Sequence, residues 1–373
     1  MSVRLLDSEA YGRALALRDL TDAALGPHAM QLLVRDAVAA LTERWRCAVV
    51  VNRAPPVVTI ADNYDALGYP AGGASRDARY TRYVAPDRLL RTQTSAMVPA
   101  ALRMLASARY DDVLLACPGL TYRRDAIDRL HVGEPHQLDL WRIARRLLGR
   151  AELEEMIDVA AHAMLPGATI TLSAARHPYT VDGLEVHAES DGRTVEILEC
   201  GLAAPRILAD AGWPTNECRG LAMGIGLDRM LMLRKGIADI RELRSTDPRV
   251  AAQMLDLAPY RPVSPQAAMR RDLSIAVPAE ATPEELGDRA RNALGERCSS
   301  VEAIEVLSET PYEDLSPIAR ERLGIAAGQK NVLLRVVIRD LERTLTAAEA
   351  NALRDRVYAA LHAGGTHTWA TNA

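Results

Sequence analysis

Apolar residues recur at helical spacing between residues 29 and 44, where Met30, Leu33, Val34, Ala37, Val38 and Leu41 fall on one face. The pattern predicts an amphipathic helix opened by Gly26-Pro27-His28, preceded by a short leading helix within residues 1–20. Residues 47–51 and 57–60 alternate and branch like strands. Residues 62–85 read as loop, with Gly68, Pro70, Gly72 and Gly73. Residues 89–95 end a strand, and 96–107 read as a helix. A strand at 113–116, a helix at 153–164 and short strands at 170–174 and 194–198 follow. Strands joined mostly as hairpins, with helices outside them, predict an antiparallel sheet of α+β order.

The pattern breaks at 258–265, where Pro259, Pro262 and Pro265 suit a semi-rigid linker. It then restarts with a strand at 273–277, a helix at 283–294, strands at 301–307 and 332–338, and a helix at 347–361. That β-α-β-β-α order predicts a ferredoxin-like domain. The expected division is therefore 1–257, a linker at 258–265, and a second domain at 266–373.

Composition is that of an ordinary globular chain, with 49% hydrophobic and 25% charged residues among 373. A net charge of −4 gives no global basic field, although a local arginine stripe suffices for RNA. Cysteines at 47, 117, 200, 218 and 298 include no Cys-x-x-Cys pair and read as small buried hydrophobes in a reducing compartment. No apolar run is long enough to span a membrane. The first twenty residues lack the apolar core of a secretory signal, so the expected location is cytoplasmic. Phe is absent altogether.

The richest stretch chemically is 220–229, Gly-Leu-Ala-Met-Gly-Ile-Gly-Leu-Asp-Arg. It reads as a turn of small residues entering an apolar helix, with Arg229 at the start. Small residues let a flat ligand approach the backbone. A guanidinium beside them holds a phosphate or stacks on a ring. The spacing is neither a Walker A loop nor a dinucleotide fingerprint. A second arginine-rich segment lies at 118–131, with Arg123, Arg124, Arg129 and His131, followed by Glu134-Pro135-His136-Gln137.

Together these segments resemble motifs 2 and 3 of the class II aminoacyl-tRNA synthetases, specifically the phenylalanyl-tRNA synthetase catalytic subunit. Gly26-Pro27-His28 and its helix are similar to motif 1. Asp62-Asn63-Tyr64-Asp65-Ala66-Leu67, Arg76-Asp77 and Arg91-Thr92-Gln93-Thr94-Ser95 follow the family's substrate-loop pattern in order. After 266, Arg271-Asp272-Leu273-Ser274 and residues 340–346 resemble the family's ferredoxin-fold anticodon-binding domain. The resemblance implies an ATP-dependent enzyme that joins an amino acid to tRNA through an aminoacyl-adenylate. It implies ATP and Mg²⁺, with Arg123 on the α-phosphate and Arg229 and His131 on the far phosphates. Asp125, Gly224 and Gly226 would complete the ATP site, and Glu196 would hold the metal. The amino acid would meet Gln93, Ser95, Gln137, Asp139, His177, Tyr179, Glu199 and Ala222. On the second domain, Arg335, Arg339 and Arg343 are candidate tRNA phosphate contacts, with a solvated sheet face as the other reading. Motif 1 implies a homodimer, whereas the single-chain arrangement implies a monomer.

Several positions depart from the family pattern. His177-Pro178-Tyr179 stands where the family has Phe-Pro-Phe, and Pro135 and Met223 also replace Phe. A chain that avoids Phe would carry those changes with no change of substrate. Gln93 for His and Glu199 for Gly are not of that kind. Glu199 either meets a polar group on a different amino acid, or faces solvent or an arginine such as Arg206. Two alternatives follow: a synthetase-derived ligase activating a modified amino acid, or a non-catalytic tRNA-binding paralogue.

Overall fold

In the computed structural model, which describes residues 5–190, 193–263 and 266–367, packing divides the chain into two units. The first holds the described residues up to 123 with 134–237 and 252–260; the second holds 124–133, 238–251 and the described residues beyond 260. The boundary after 260 falls inside the expected linker at 258–265, and two earlier segments are assigned to the second unit.

The first unit begins with α1 (Ser8–Ala16) and α2 (Ala29–Trp45). His28 caps α2 by accepting from the Met30 amide through Nδ1 at 3.2 Å, and Arg46 ends it in the left-handed region. After β1 (Ala48–Val51) comes a small sheet of β2 (Val57–Thr59), β3 (Tyr83–Ala85) and β4 (Arg88–Leu90) in the order β2-β4-β3. Then follow α3 (Val98–Ala108), β5 (Asp112–Leu120), β6 (His136–Ala144), α4 (Arg150–Met164) and β7 (Ile170–Ala174). The unit's last elements are β8 (Thr180–Ser190), β9 (Arg193–Ala203), α5 (Pro205–Asp210), β10 (Arg219–Gly226) and α6 (Leu227–Lys235).

Seven strands form the main sheet in the order β1-β5-β6-β10-β9-β8-β7. It is antiparallel except at one edge, where β1 pairs with β5 in parallel. A parallel pair needs a crossover rather than a hairpin, and the chain supplies one through the small sheet and α3. The segment 220–226, expected as a turn, is strand β10, paired on both sides with β6 and β9. Its residues alternate small (Gly220, Ala222, Gly224, Gly226) with large (Leu221, Met223, Ile225), which is the period of a strand. Met223 therefore faces away from Ala222 and Gly224.

Helix α6 ends at a buried lysine. Lys235 donates through Nζ to the carbonyls of Asp256 (2.9 Å) and Ala258 (2.6 Å), and its own carbonyl accepts from the Tyr260 amide. Those bonds tie the first part of the expected linker to the first unit. Ser264 and Pro265 lie outside the described residues.

The second unit contains α7 (Pro248–Ala251), β11 (Met269–Pro278), α8 (Pro283–Leu294), β12 (Val301–Pro311), α9 (Pro317–Leu323), β13 (Gln329–Ile338) and α10 (Ala347–Leu361). Its strands lie antiparallel in the order β11-β13-β12, among the described residues. Leu334 and Val336 of β13 pack with Leu286 of α8 and Leu353 of α10. The segment 124–133 adds a residue to that core, the buried Ile127, whose carbonyl accepts from the Ile304 amide at 2.8 Å. Arg124 and Asp288 form a buried ion pair at 2.6 Å. The guanidinium of Arg291 donates to the carbonyls of Asp125 and Ala126.

Gly287, in the middle of α8, permits this approach. A Cβ there would lie 2.5 Å from the Asp125 carbonyl oxygen and 3.1 Å from the Ala126 Cα. Helix propensity alone would make Gly287→Ala stabilising by about 1 kcal/mol. The backbone contact reverses the sign, since overpacking costs roughly 1–3 kcal/mol. The expected outcome is a second-unit melting transition lowered by several degrees, read by calorimetry of the full chain. A raised transition would show that the segment does not press on α8.

Candidate active site

Three strands deliver the centre of the site. In the ladders of β6, β10 and β9, Asp139 lies opposite Gly224 and Gly224 opposite Glu199. One step along, Gln137 faces Gly226; one step the other way, Trp141 faces Ala222. Alternation puts Gln137, Asp139 and Trp141 on one face, together with Ala222, Gly224 and Gly226.

The glycines of β10 do different work. At Gly220 a Cβ would meet the Ala203 Cβ at 2.9 Å, so that glycine lets two strands and α5 pack. At Gly224 the nearest atom would be Asp139 Oδ2 at 4.0 Å, and at Gly226 the Ile197 carbonyl oxygen at 3.9 Å. Space above these two is open, and the protein's own packing does not require Gly at either. The bare backbone leaves room for a flat group to lie on the strand.

Asp139 is buried, at 2% exposure, and its carboxylate accepts from Thr94 Oγ1 (2.7 Å), Ser95 Oγ (2.9 Å) and Trp141 Nε1 (3.3 Å). Burial pushes its carboxyl above the usual range, opposed by those three donors and reinforced by the charge of Glu199. The same short turn, residues 94–97, sends the Thr94 amide to Gln137 Oε1 at 3.2 Å. Gln137, Asp139 and Ser95 are thus brought together.

A row of rings bounds the space beside Asp139. Trp141 and Tyr179 have centroids 5.9 Å apart, Tyr179 and His177 5.8 Å, and Tyr69 and Tyr179 6.3 Å. Tyr69 donates its hydroxyl to Gln93 Oε1 at 2.9 Å, and Gln93 Nε2 donates to the Asn63 carbonyl at 3.0 Å. Burial pushes the Tyr69 hydroxyl up to about 12, which keeps it a donor. Gln93 therefore braces the ring wall. Glu199 pairs with His177, Oε2 to Nε2 at 3.0 Å, and not with Arg206, whose partner is Asp210. The bond from His177 holds the Glu199 carboxyl below its usual value, against partial burial.

At the cationic side, Arg123 follows β5 and donates through Nε to the Thr92 carbonyl at 2.8 Å. That bond orients the guanidinium. Arg229, in the first turn of α6, donates through Nη1 to the Glu196 carbonyl and to Glu196 Oε2, each at 3.4 Å. Its neighbour Asp228 accepts from the His136 amide at 2.5 Å and contacts His136 Nδ1 at 3.2 Å. His136 Nε2 accepts from the Leu20 amide at 3.0 Å, which leaves Nδ1 to donate toward Asp228.

Asp125 and His131 lie in the segment 124–133 of the second unit. Asp125 Oδ1 accepts from the Ala126 amide at 2.9 Å, and His131 Nδ1 contacts Asp128 Oδ2 at 2.7 Å. In the same unit the three arginines considered for tRNA all carry carboxylate partners. Arg335 grips Asp272 with Nε at 2.8 Å, and Arg339 meets Glu302 at 2.6 Å. Arg343 bonds Glu349 at 2.6 Å, the residue that closes the capping box of α10. A phosphate would have to compete with these carboxylates.

Sequence reasoning missed Thr94, Trp141 and Tyr69. Thr94 sits between Gln93 and Ser95, and only the fold shows that its hydroxyl reaches Asp139. Trp141 was legible by spacing, two residues beyond Asp139 on one strand face.

The family described as tRNA synthetases class II core domain (F) matches residues 41–254, more than half of the chain. The chain belongs to this family. A phenylalanine-tRNA ligase alpha subunit of Prochlorococcus marinus (strain NATL2A) is 32% identical over 203 residues, 54% of this chain and 59% of the relative. One from Thermotoga sp. (strain RQ2) is 34% identical over 201 residues, 53% of this chain and 60% of the relative. One from Synechocystis sp. (strain ATCC 27184 / PCC 6803 / Kazusa) is 32% identical over 207 residues, 54% of this chain and 60% of the relative. These alignments span about 60% of the relatives' own length. The matched region of the synthetase core contains β5, β6, β9, β10 and α6, and with them Gln93, Arg123, Asp139, Glu199 and Arg229.

A carboxyl whose folded value is raised opposes folding once it is ionised. Asp139→Asn is therefore expected to hold or raise the melting temperature at neutral pH, its hydroxyl neighbours turning to suit the amide. The penalty on Asp139 is full above its folded value and gone below the unfolded one, so the variant's advantage fades as the pH falls between them. A variant less stable than the parent across that whole range would contradict the burial argument.

Proposed function

We propose that the chain activates an amino acid with ATP to form an aminoacyl-adenylate and passes the acyl group to tRNA, in the manner of phenylalanine-type class II synthetases. The observation that carries this reading is the open floor at Gly224 and Gly226, set between a buried carboxylate and two oriented arginines. Asp139 and Gln137, with Ser95, suit the ammonium of an amino acid. The ring wall suits its side chain.

In the reaction the amino acid carboxylate attacks the α-phosphorus and pyrophosphate leaves. Negative charge grows on phosphoryl oxygens, so the protein's task is positioning and fixed positive charge rather than nucleophilic attack. Arg123, oriented by its bond to Thr92, suits the α-phosphate, and Arg229 suits the phosphates that leave. Arg229 and Glu196 hold each other loosely, at 3.4 Å with both side chains partly exposed. A lone carboxylate beside a phosphate-binding arginine fits Mg²⁺, which is commonly held by one or two carboxylates plus substrate phosphates. Glu196 would be its protein ligand, and the ion would neutralise the pyrophosphate. The retained arginines and the open glycine floor favour an enzyme over a non-catalytic paralogue.

The test is amino-acid-dependent exchange of pyrophosphate into ATP by the full chain, followed by tRNA charging. Exchange is expected, with Arg123→Ala and Arg229→Ala each lowering its rate by about 10²–10³ without moving the melting temperature by more than a few degrees. Asp139→Asn is expected to raise the amino acid KM with little effect on the KM for ATP. Absence of exchange with every amino acid would refute the reading; exchange without charging would redirect it to a ligase with another acceptor.

A further inference from the structure

Glu199 and Asp139 flank Gly224 from opposite sides in one continuous row across β6, β10 and β9. Neighbouring strands lie about 4.8 Å apart, so the two backbone positions are about 10 Å from each other. Gly224 puts nothing between them. The rings of Trp141, Tyr179 and His177 succeed one another beside this slot, with Tyr69 against Tyr179.

The far end of that space is polar. Glu199 Oε2 is taken by His177 Nε2 at 3.0 Å, and His177 Nδ1 contacts Thr180 Oγ1 at 3.2 Å. His177 is fixed on both nitrogens, at 9% exposure, and it fixes the carboxylate in turn. Glu199 Oε1 has no partner among the described residues. A carboxylate oxygen only accepts. A substrate side chain that covers it without donating a hydrogen bond leaves it desolvated, which is costly.

We propose that the His177–Glu199 pair selects an aromatic amino acid carrying a hydrogen-bond donor on its ring, a hydroxyl or an amino group, over an unsubstituted phenyl ring. The proposal rests on the reading that Asp139, Gln137 and Ser95 receive the amino acid's ammonium. The ring lies over Gly224 between the aromatic walls, and its donor reaches Glu199 Oε1. Loss of Phe from the chain accounts for His177 but not for its partner Glu199, which stands where the family pattern has Gly.

Direct binding separates this proposal from the activation chemistry. Calorimetric titration of the full chain with phenylalanine, tyrosine, meta-tyrosine, 3,4-dihydroxyphenylalanine and 4-aminophenylalanine reads selectivity without ATP. At least one donor-bearing compound is expected to bind about tenfold or more tighter than phenylalanine. Glu199→Gln, which keeps the shape, should shrink that ratio, and Glu199→Gly should abolish it, with phenylalanine bound as well as or better than before. Phenylalanine bound as tightly as every donor-bearing compound, or a preference unmoved in both variants, would overturn the proposal, as would failure to bind any of the five. A Glu199-dependent preference in binding with no pyrophosphate exchange would uphold the selectivity and refute the activation reading.

Discussion

The first unit's site is organised around a carboxylate that the fold keeps out of water. Asp139 sits in the middle of the main sheet with 2% exposure. An ionised group there is tolerable only when donors replace its hydration. Thr94 and Ser95 from one turn and Trp141 from β6 itself do so. The turn at 94–97 must dock against β6, which sets the start of α3. Trp141 must present its indole nitrogen along its own strand, which sets the ring against which Tyr179 lies. The ring wall, the turn and the glycine floor are thus tied together through one buried charge.

What the sequence makes legible is the local part. Alternation of small and large residues marks β10 as a strand, although the glycine content alone reads as a turn. The helices at 283–294 and 347–361 are readable to the residue, because Thr282 and Thr346 cap them and Pro283 follows a cap. Long-range partners are not legible. Arg123 and Arg124 are adjacent and identical in type. One turns to the Thr92 carbonyl, whereas the other is buried against Asp288, 164 positions away. Gly220 and Gly224 are equally alike on paper. One relieves a contact with Ala203, and the other has open space above it. Only the neighbours decide, and the neighbours come from other strands.

The absence of Phe has a structural consequence of its own. A tyrosine in a buried position brings a hydroxyl that must be satisfied. Tyr64, buried at 1% exposure, meets Thr81 Oγ1 at 2.6 Å and donates to the Ser75 carbonyl at 2.7 Å. Tyr69 donates to Gln93, which in turn bonds the Asn63 carbonyl. Gln93 is one of the two departures that the missing Phe does not account for. Its amide offers Tyr69 an acceptor and Asn63 a donor at once, which a single imidazole does only in one tautomer. Tyr69 and Gln93 are therefore coupled, since a change at either leaves a polar group of the other without its bond.

Glu199 and Asp139 show how environment divides two like residues. They flank the same glycine, yet burial pushes the Asp139 carboxyl up while the bond from His177 holds the Glu199 carboxyl down. Each charge also disfavours the other, so the pair is easier to keep ionised with a cation or donors between them. On the proposed reading, an amino acid laid over Gly224 would supply an ammonium at the Asp139 end. A ring donor would serve the Glu199 end. On that reading, the bare Gly224 would let one ligand answer both, and a side chain there would stand between the two carboxylates.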